Sequence, residues 1–383
     1  MKQFTVLCFF ISFLTAGYAQ NLTSKKDSIL SRIAFTGDFR FRIEHDWNSQ
    51  KSDGSFRTDR TRLRYRLRTG FAYQINSWSY FGVNIRTGLL NKQQDPQLTL
   101  GNGFADNGLL PFGIYKLYFK IEKNGFRLTL GKDDFPFKKN NQLFWSDHVC
   151  PEGIFVKKKF SFESEFISSL GVSAGHFVLR ASGGSLDMDS YFQGVQITSS
   201  FFNKRLNINP AFYYLNKISD IPDGFQTYEM NYGILNVSMN GALLKNQKLK
   251  FTFDYYNNLL DYGQDANIPN NMKNERFGYT TSVSYGRLKE RNDWLIMATY
   301  GRMESFAAVD YFTQNDWARW DYSGNGSPDG RLTNFQGIRF TAGYAIRKNF
   351  VLKLNYYKVE QLVATGISKE NGDRIRLDLD IKF

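Results

Sequence analysis

Residues 60–73 read RTRLRYRLRTGFAY. Arg60, Arg62, Arg64, Arg66 and Arg68 share one parity, and Leu63, Tyr65, Leu67, Thr69, Phe71 and Tyr73 share the other. Successive side chains of a strand point to opposite faces, so this period of two sets five guanidinium groups against an almost unbroken apolar row. A helix would scatter the arginines around its girth. In a soluble sandwich the apolar row would cover a protein core and the arginines would face bulk water. In a transmembrane barrel the same row faces lipid and the arginines face a wet lumen. The rest of the chain decides between the two.

Of 383 residues, 17% are aromatic, a type that favours strands and membrane interfaces. After residue 20 no run approaches the roughly 20 apolar residues of a spanning helix. In a membrane, such a chain has to be a closed barrel, because only helices and barrels satisfy every backbone group in lipid. Residues 1–19 read as a secretion signal, with Lys2, a short apolar core over 4–14, and the small residues Gly17 and Ala19 before Gln20. Residues 20–32 read as a polar periplasmic lead-in and 33–383 as the barrel. Cys8 leaves with the signal, so Cys150 is the only cysteine of the mature chain and a disulfide-stapled domain is excluded. The formal net charge of +13 suits anionic solutes or surfaces, and export sets nucleic acid aside.

From Ile33 the alternation begins: Phe35, Gly37, Phe39, Phe41 and Ile43 oppose Thr36, Asp38, Arg40, Arg42 and Glu44. A polar connection, His45 to Asp59, leads to the arginine strand, and a tiny one, Gln74 to Ser77, leads out of it. Strands follow at Trp78–Leu89, Gly113–Glu122 and Phe126–Asp133, the last two joined by Lys123-Asn124-Gly125, whose Asn-Gly is a hairpin signal. Further strands are predicted near 152–159, 165–175, 190–199, 205–215, 227–240, 247–258, 275–287, 293–304, 335–347, 349–361 and 374–383. Short and long connections alternate throughout, which is the layout of an antiparallel up-and-down barrel with both termini on the short-turn side. The count is about sixteen, or fourteen to eighteen according to how Phe166 to Ala181 divides. Pro210 inside a strand predicts a bulge or a boundary. Trp78, Trp294, Tyr300 and Tyr357 are expected in interface girdles. The last strand alternates to the end, Ile375, Leu377, Leu379, Ile381 and Phe383 against Arg374, Arg376, Asp378, Asp380 and Lys382. A final aromatic such as Phe383 resembles the signal read by the barrel assembly machinery.

The segments GDFRFRIEHDW (37–47), DRTRLRYRLRTG (59–70) and IYKLYFKIEKNGFRLTLGKDDFPFKKNNQLFWSDHVCPEGIF (114–155) resemble the putative porins of Bacteroidetes outer membranes. The resemblance implies a diffusion barrel in outer-membrane lipid and a homotrimer as in other porins; it carries no substrate. The segment Asp134 to Pro151 resembles in position the third loop that folds into sixteen-strand porins. It offers Lys138, Lys139, Trp145 and Asp147 as constriction candidates, with Phe135, Pro136, Phe137 and Phe144 to pack it on the wall; the competing reading is an external cap.

Closing the barrel brings Arg40, Arg42, Arg60, Arg62, Arg64, Arg66, Arg68, Arg86, Arg374 and Arg376 onto the inward face of four consecutive strands. Like charges side by side destabilise a sheet, so this stripe is hydrated, paired with acids such as Asp38, Glu44, Asp378 and Asp380, or occupied by anions. One reading is an electropositive track for anionic or neutral small solutes. The other is a wall neutralised by carboxylates or by a loop folded into the lumen. Among catalytic signals there is little: His45, His148 and His176 share no metal-like spacing, no G-x-S-x-G occurs, and His148 beside Asp147 reads as a loop hydrogen bond. No catalytic residue, metal or cofactor is expected. The sequence therefore reads as an all-β transmembrane barrel acting as a porin with anion preference. A barrel lipase or protease and a plugged adhesive surface barrel are the alternatives.

Overall fold

Wherever polar and apolar residues alternate, the chain is extended. The structure is a computed structural model and describes residues 29–90, 96–101, 108–219, 229–244, 248–317 and 332–383. The secretion signal and most of the lead-in lie outside the described residues, and Ile29–Arg32 forms a single 3-10 turn. The strands are β1 (Ile33–Gln50), β2 (Arg60–Asn76), β3 (Ser79–Thr87), β4 (Leu98–Thr99), β5 (Phe112–Lys123), β6 (Phe126–Lys132), β7 (Glu152–Ser161), β8 (Ile167–Arg180) and β9 (Ser190–Phe201). They continue as β10 (Leu206–Ser219), β11 (Glu229–Ala242), β12 (Leu249–Asn258), β13 (Phe277–Gly286), β14 (Trp294–Met303), β15 (Phe335–Arg347), β16 (Phe350–Gln361) and β17 (Asn371–Lys382). Sixteen of these are staves of a closed antiparallel barrel in chain order, with β17 returning to β1. The two-residue β4 is extra: it lies in a long loop and pairs with the upper part of β2, where the short β3 does not reach.

Burial is inverted relative to a soluble protein. On β2, Leu63 and Leu67 are 42% and 39% exposed, while Arg64 and Arg66 are 5% and 3% exposed. The same holds around the barrel, where Ile154, Val172, Val195, Ile296 and Phe340 point outward. An apolar outside around a polar inside is stable only in lipid, which resolves the choice left open by the arginine strand.

Several details differ from the sequence reading. β1 runs on to Gln50, so His45 and Asp46 belong to a strand rather than to the first connection. The segment around Phe166–Ala181 is one strand, β8. Pro210 stands opposite Val237 in β10 without a bulge; the ladder to β9 skips from Ile208 to Ala211 at constant register, because proline has no N–H to give. Tyr357 is not in a girdle: it is buried inside, where Arg376 sits 5.5 Å above its ring. The hairpin at Asn124-Gly125 is as expected, with both residues at positive φ and Lys123 opposite Phe126.

The seam between β1 and β17 has its own order. Arg40, Arg42, Glu44 and Asp46 stand opposite Asp380, Asp378, Arg376 and Arg374. Arg40 holds Asp380 through two bonds of 2.6 and 3.0 Å, and Arg42 holds Asp378 likewise at 2.5 and 3.0 Å. Arg376 Nε donates to Glu44 at 2.6 Å, and Arg374 pairs with Asp46. From the other side β2 adds Arg60 to Asp46, Arg62 to Glu44, and Arg66 with Arg68 to Asp38. A slip of two residues is the smallest that keeps the faces. In one direction it sets Arg40 opposite Lys382 and Glu44 opposite Asp378; in the other it sets Arg42 opposite Arg376 and Asp38 opposite Asp380. Either slip creates two like-charge pairs, so the charges select the closing register.

Replacing Asp378 and Asp380 together by Lys is expected to abolish the compact, heat-sensitive electrophoretic migration of a closed barrel, and adding Arg40→Asp and Arg42→Asp to restore it. Glu44→Ala, which strands two guanidinium groups around a fully buried position, is expected to cost about 3–5 kcal/mol in urea unfolding in detergent micelles. Normal closure of the lysine variant would show that the seam charges do not set the register.

Candidate functional site

Among the described residues, two of the long connections meet each other inside the barrel. The first, between β6 and β7, is the stretch expected to constrict the barrel. Its Phe137, Phe144 and Trp145 are buried against inward rings of β7 to β12: Phe144 lies 5.0 Å from Tyr256 and 5.1 Å from Tyr213, Phe137 lies 5.5 Å from Phe155, and Trp145 lies 5.0 Å from Phe192. Gly194 allows this approach, since a Cβ there would come within 2.6 Å of the Phe137 ring. Polar ties fix the tip across the barrel. Gln196 exchanges two bonds with the Lys138 main chain, at 2.7 and 2.9 Å. Asn140 donates to Ser238 at 2.9 Å, and Asn141 donates to Asp254 at 2.7 Å and to Thr280 at 2.6 Å. Asp254 is a buried wall carboxylate on β12 that serves the loop rather than a solute.

The second loop, between β14 and β15, was not foreseen. Ser146 N–H donates to the Phe312 carbonyl at 2.7 Å and Gln314 N–H to the Gln142 carbonyl at 3.0 Å, so the two loops bond to each other inside the barrel. Trp317 packs 5.7 Å from Phe335 and 5.6 Å from Tyr357. Asp316 pairs with Arg376 and lies 3.5 Å from Arg42. The available signal was aromatic density: Phe306, Tyr311, Phe312 and Trp317 fall within one connection, where a solvated loop has no use for them.

Among the described residues, three cavities of about 100 Å³ or more lie between the loops and the wall. One of ≈490 Å³ is bordered by Arg68, Lys116, Lys382, Asp38, Asp134 and Asp147. One of ≈390 Å³ is bordered by Lys138, Lys139, Gln142, Asp147 and Arg339. The third, of ≈100 Å³, is bordered by Arg40, Arg66, Arg68, Asp147, His148 and Asp316. Asp147 borders all three, and the smallest also shares Arg68 with the first and Gln142 with the second.

Of the ten stripe arginines, Arg40, Arg66 and Arg68 border these cavities. Arg42, Arg374 and Arg376 are buried within the ion pairs of the seam, and Arg60 and Arg62 are paired with Asp46 and Glu44. Arg64 donates to the Gln97 carbonyl at 3.0 Å, and Arg86 lies 5.6 Å above the Tyr115 ring. The stripe is thus mostly a paired wall, because Asp46 and Asp316 add to the acids expected there. Of the loop candidates, Lys138, Lys139 and Asp147 border cavities, whereas Trp145 is 1% exposed and packs the loop. Phe383 ends the seam, exchanging main-chain bonds of 2.8 and 3.0 Å with Gly37.

The loop groups have perturbed acidities. Burial, then Arg66 and Arg68, hold His148 well below the usual histidine range. Burial opposes ionisation of Asp316, but Arg376 and Arg42 outweigh it and keep the carboxyl far below the carboxylate range. Burial, then Asp134, pushes the Cys150 thiol up to about 12. Asp147 pairs with Lys139, so it does not orient His148 as a dyad would. His45 bonds Thr61 and His176 bonds Gln193, each far from the others along the sheet.

Residues 226–383 match the family described as putative porin. No curated protein matches the chain. Among solved structures the barrel is similar to Pseudomonas putida OprB, with 11% identity over 93% of this chain and 95% of that chain and a TM-score of 0.58. It is also similar to Salmonella typhi OmpF in complex with daunomycin (10%, 92% and 97%, TM-score 0.54) and to a mutant porin of Rh. blastica (11%, 91% and 100%, TM-score 0.51). At such identities the likeness is one of fold. With the apolar exterior, the family match makes this an outer-membrane barrel.

Asp254→Ala removes the acceptor that holds Asn141. It is expected to expose Lys138 and Lys139 to trypsin and to raise single-channel noise, both measurable on the refolded barrel. Unchanged protection would mean that the aromatic packing alone holds the loop.

Proposed function

Starting from a chain whose residues 226–383 belong to the putative porin family, we propose that the barrel passes small hydrophilic solutes by diffusion, with a preference for anions. The observation that carries the preference is the lining of the cavities. Arg40, Arg66, Arg68, Lys116, Lys138, Lys139, Arg339 and Lys382 border them, against Asp38, Asp134, Asp147 and Asp316. Lys116 pairs with Asp134 and Lys139 with Asp147. Among the described residues, no carboxylate pairs with Lys138, Lys382 or Arg339; the last rests 5.8 Å above Trp317. Unpaired cations beside low-dielectric walls raise the local concentration of anions. The preference thus rests on these lysines and Arg339 more than on the arginine stripe. Phe383, 64% exposed at the end of the seam, keeps its proposed role as the assembly signal.

The plugged-barrel alternative draws on the two inward loops. Cavities of ≈490 and ≈390 Å³ beside those loops weigh against it. A barrel enzyme finds less support still, since among the described residues no carboxylate pairs with His148 and burial pushes the Cys150 thiol up to about 12.

The test is the reversal potential of single channels under a potassium chloride gradient. Anion selectivity is expected in the native barrel, falling toward none when Lys138, Lys382 and Arg339 are replaced together by Gln. The triple replacement of Arg62, Arg64 and Arg66 by Gln is instead expected to destabilise the barrel, since it removes partners of Glu44 and Asp38. Cation selectivity would contradict the charge reading, and silence from a folded barrel would favour the plugged one.

A further inference from the structure

Among the described residues, the carboxylates bound to the seam arginines are Asp38, Glu44 and Asp46 of β1, Asp378 and Asp380 of β17, and Asp316, which a loop brings. Its seat is made before it arrives. Arg42 and Arg376 are each 2% exposed and are fixed from behind by Asp378 and Glu44. Each keeps its Nη1 group beside Asp316 Oδ1, Arg376 as an ion pair and Arg42 at 3.5 Å, and neither contact has the geometry of a hydrogen bond. Arg374 Nη1 supports the same turn by donating to the Asp316 main-chain oxygen at 2.7 Å.

Asp316 itself is not sealed in. Its side chain keeps 26% exposure, on the ≈100 Å³ chamber that Arg40, Arg66, Arg68, Asp147 and His148 also border. At about 30 Å³ per water the chamber holds roughly three waters, which is room for a carboxylate on a short stem. When Asp316 leaves, Arg42 and Arg376 keep Asp378 and Glu44 but lose the carboxylate between them, and a solute carboxylate restores that contact. The chain itself displays the group that fits: a carboxylate on one carbon.

We infer that the Arg42–Arg376 seat is a recognition site for short carboxylate solutes, which enter it from the ≈100 Å³ chamber by displacing Asp316. This deepens the anion reading and rests on it for the route by which a solute arrives. Asp316 is then an internal competitor. A site that its own latch fills for about nine-tenths of the time binds an external ligand about tenfold more weakly than the open site. Because Gln314, two residues before the latch, bonds to Gln142 of the first loop, exchange at the seat acts on the stretch where the loops meet.

Equilibrium dialysis of labelled acetate against the folded barrel in detergent reads the seat without requiring conduction. Acetate is the Asp316 side chain cut at Cβ. Asp316→Ala is expected to bind one acetate about tenfold more tightly than the native chain, as fits removal of the competitor. Asp316→Asn gives the same comparison with the loop's volume kept, and heat-sensitive migration verifies closure of both. Asp147→Ala removes a like charge from the same chamber and is expected to tighten acetate far less than Asp316→Ala does. Equal affinity in native and Asp316 variants overturns the inference. So does equal tightening by Asp147→Ala, which would reflect the general field, and so does tighter binding of inorganic phosphate than of acetate. Acetate tightening in a barrel that passes no current would keep the site and remove the diffusion reading; a conducting barrel without tightening would do the reverse.

Discussion

Between β1 and β17, two arginines followed by two acids meet two acids followed by two arginines, read along the paired positions. These contacts are buried, with Glu44 and Arg376 at 0% and 2% exposure, and buried ion pairs are not in themselves a source of stability. What they supply is discrimination. An outer-membrane barrel must bring its last strand to its first across the whole chain length, and every stave presents similar apolar outsides. A lattice in which each two-residue slip creates like-charge contacts distinguishes the right closure from its neighbours. β2 extends the lattice by supplying further cations to the acids of β1, so three consecutive staves form one rigid ionic wall.

The opposite half of the lumen is built differently. There the first loop lies on a bed of rings from β7 to β12, and Asn140, Asn141 and Gln196 set its position on the wall. Apolar packing inside a barrel otherwise filled by polar side chains serves to hold a loop rather than to bury a core. The second loop bridges the halves: Phe312 touches Trp145 at 4.5 Å on the aromatic side, and Asp316 reaches the ionic wall. Among the described residues, cavities lie where these three parts meet, and their border carries more cations than carboxylates.

The barrel was legible in the sequence because strand period, connection length and the terminal alternation are local properties, each visible within a dozen residues. Even the turn at Asn124-Gly125 could be read, since the backbone angles it requires belong to those residue types. The state of the arginines was not legible. Whether Arg42 or Arg376 faces solute or carboxylate depends on Asp46, hidden in a stretch that reads as a loop, and on Asp316, brought in from a connection far from either along the chain. Tyr357 and Trp145 misled for a related reason: an aromatic ring suits a girdle, a constriction or a packed bed equally, and only the fold assigns it. Lys138, Lys139 and Asp147 could be named as candidates because their loop's position among the strands could be counted.

The central claim is that a closed ionic wall and a docked loop leave a continuous aqueous path. The most direct measurement is the swelling of proteoliposomes holding the refolded barrel in isotonic solutions of uncharged solutes of graded size, because neutral solutes report the path without the field. Rapid swelling in the smallest solutes, declining steeply with size, is the expected result. Absence of swelling in every solute, from vesicles whose barrels migrate as folded, would contradict the account and mean that the two loops close the lumen.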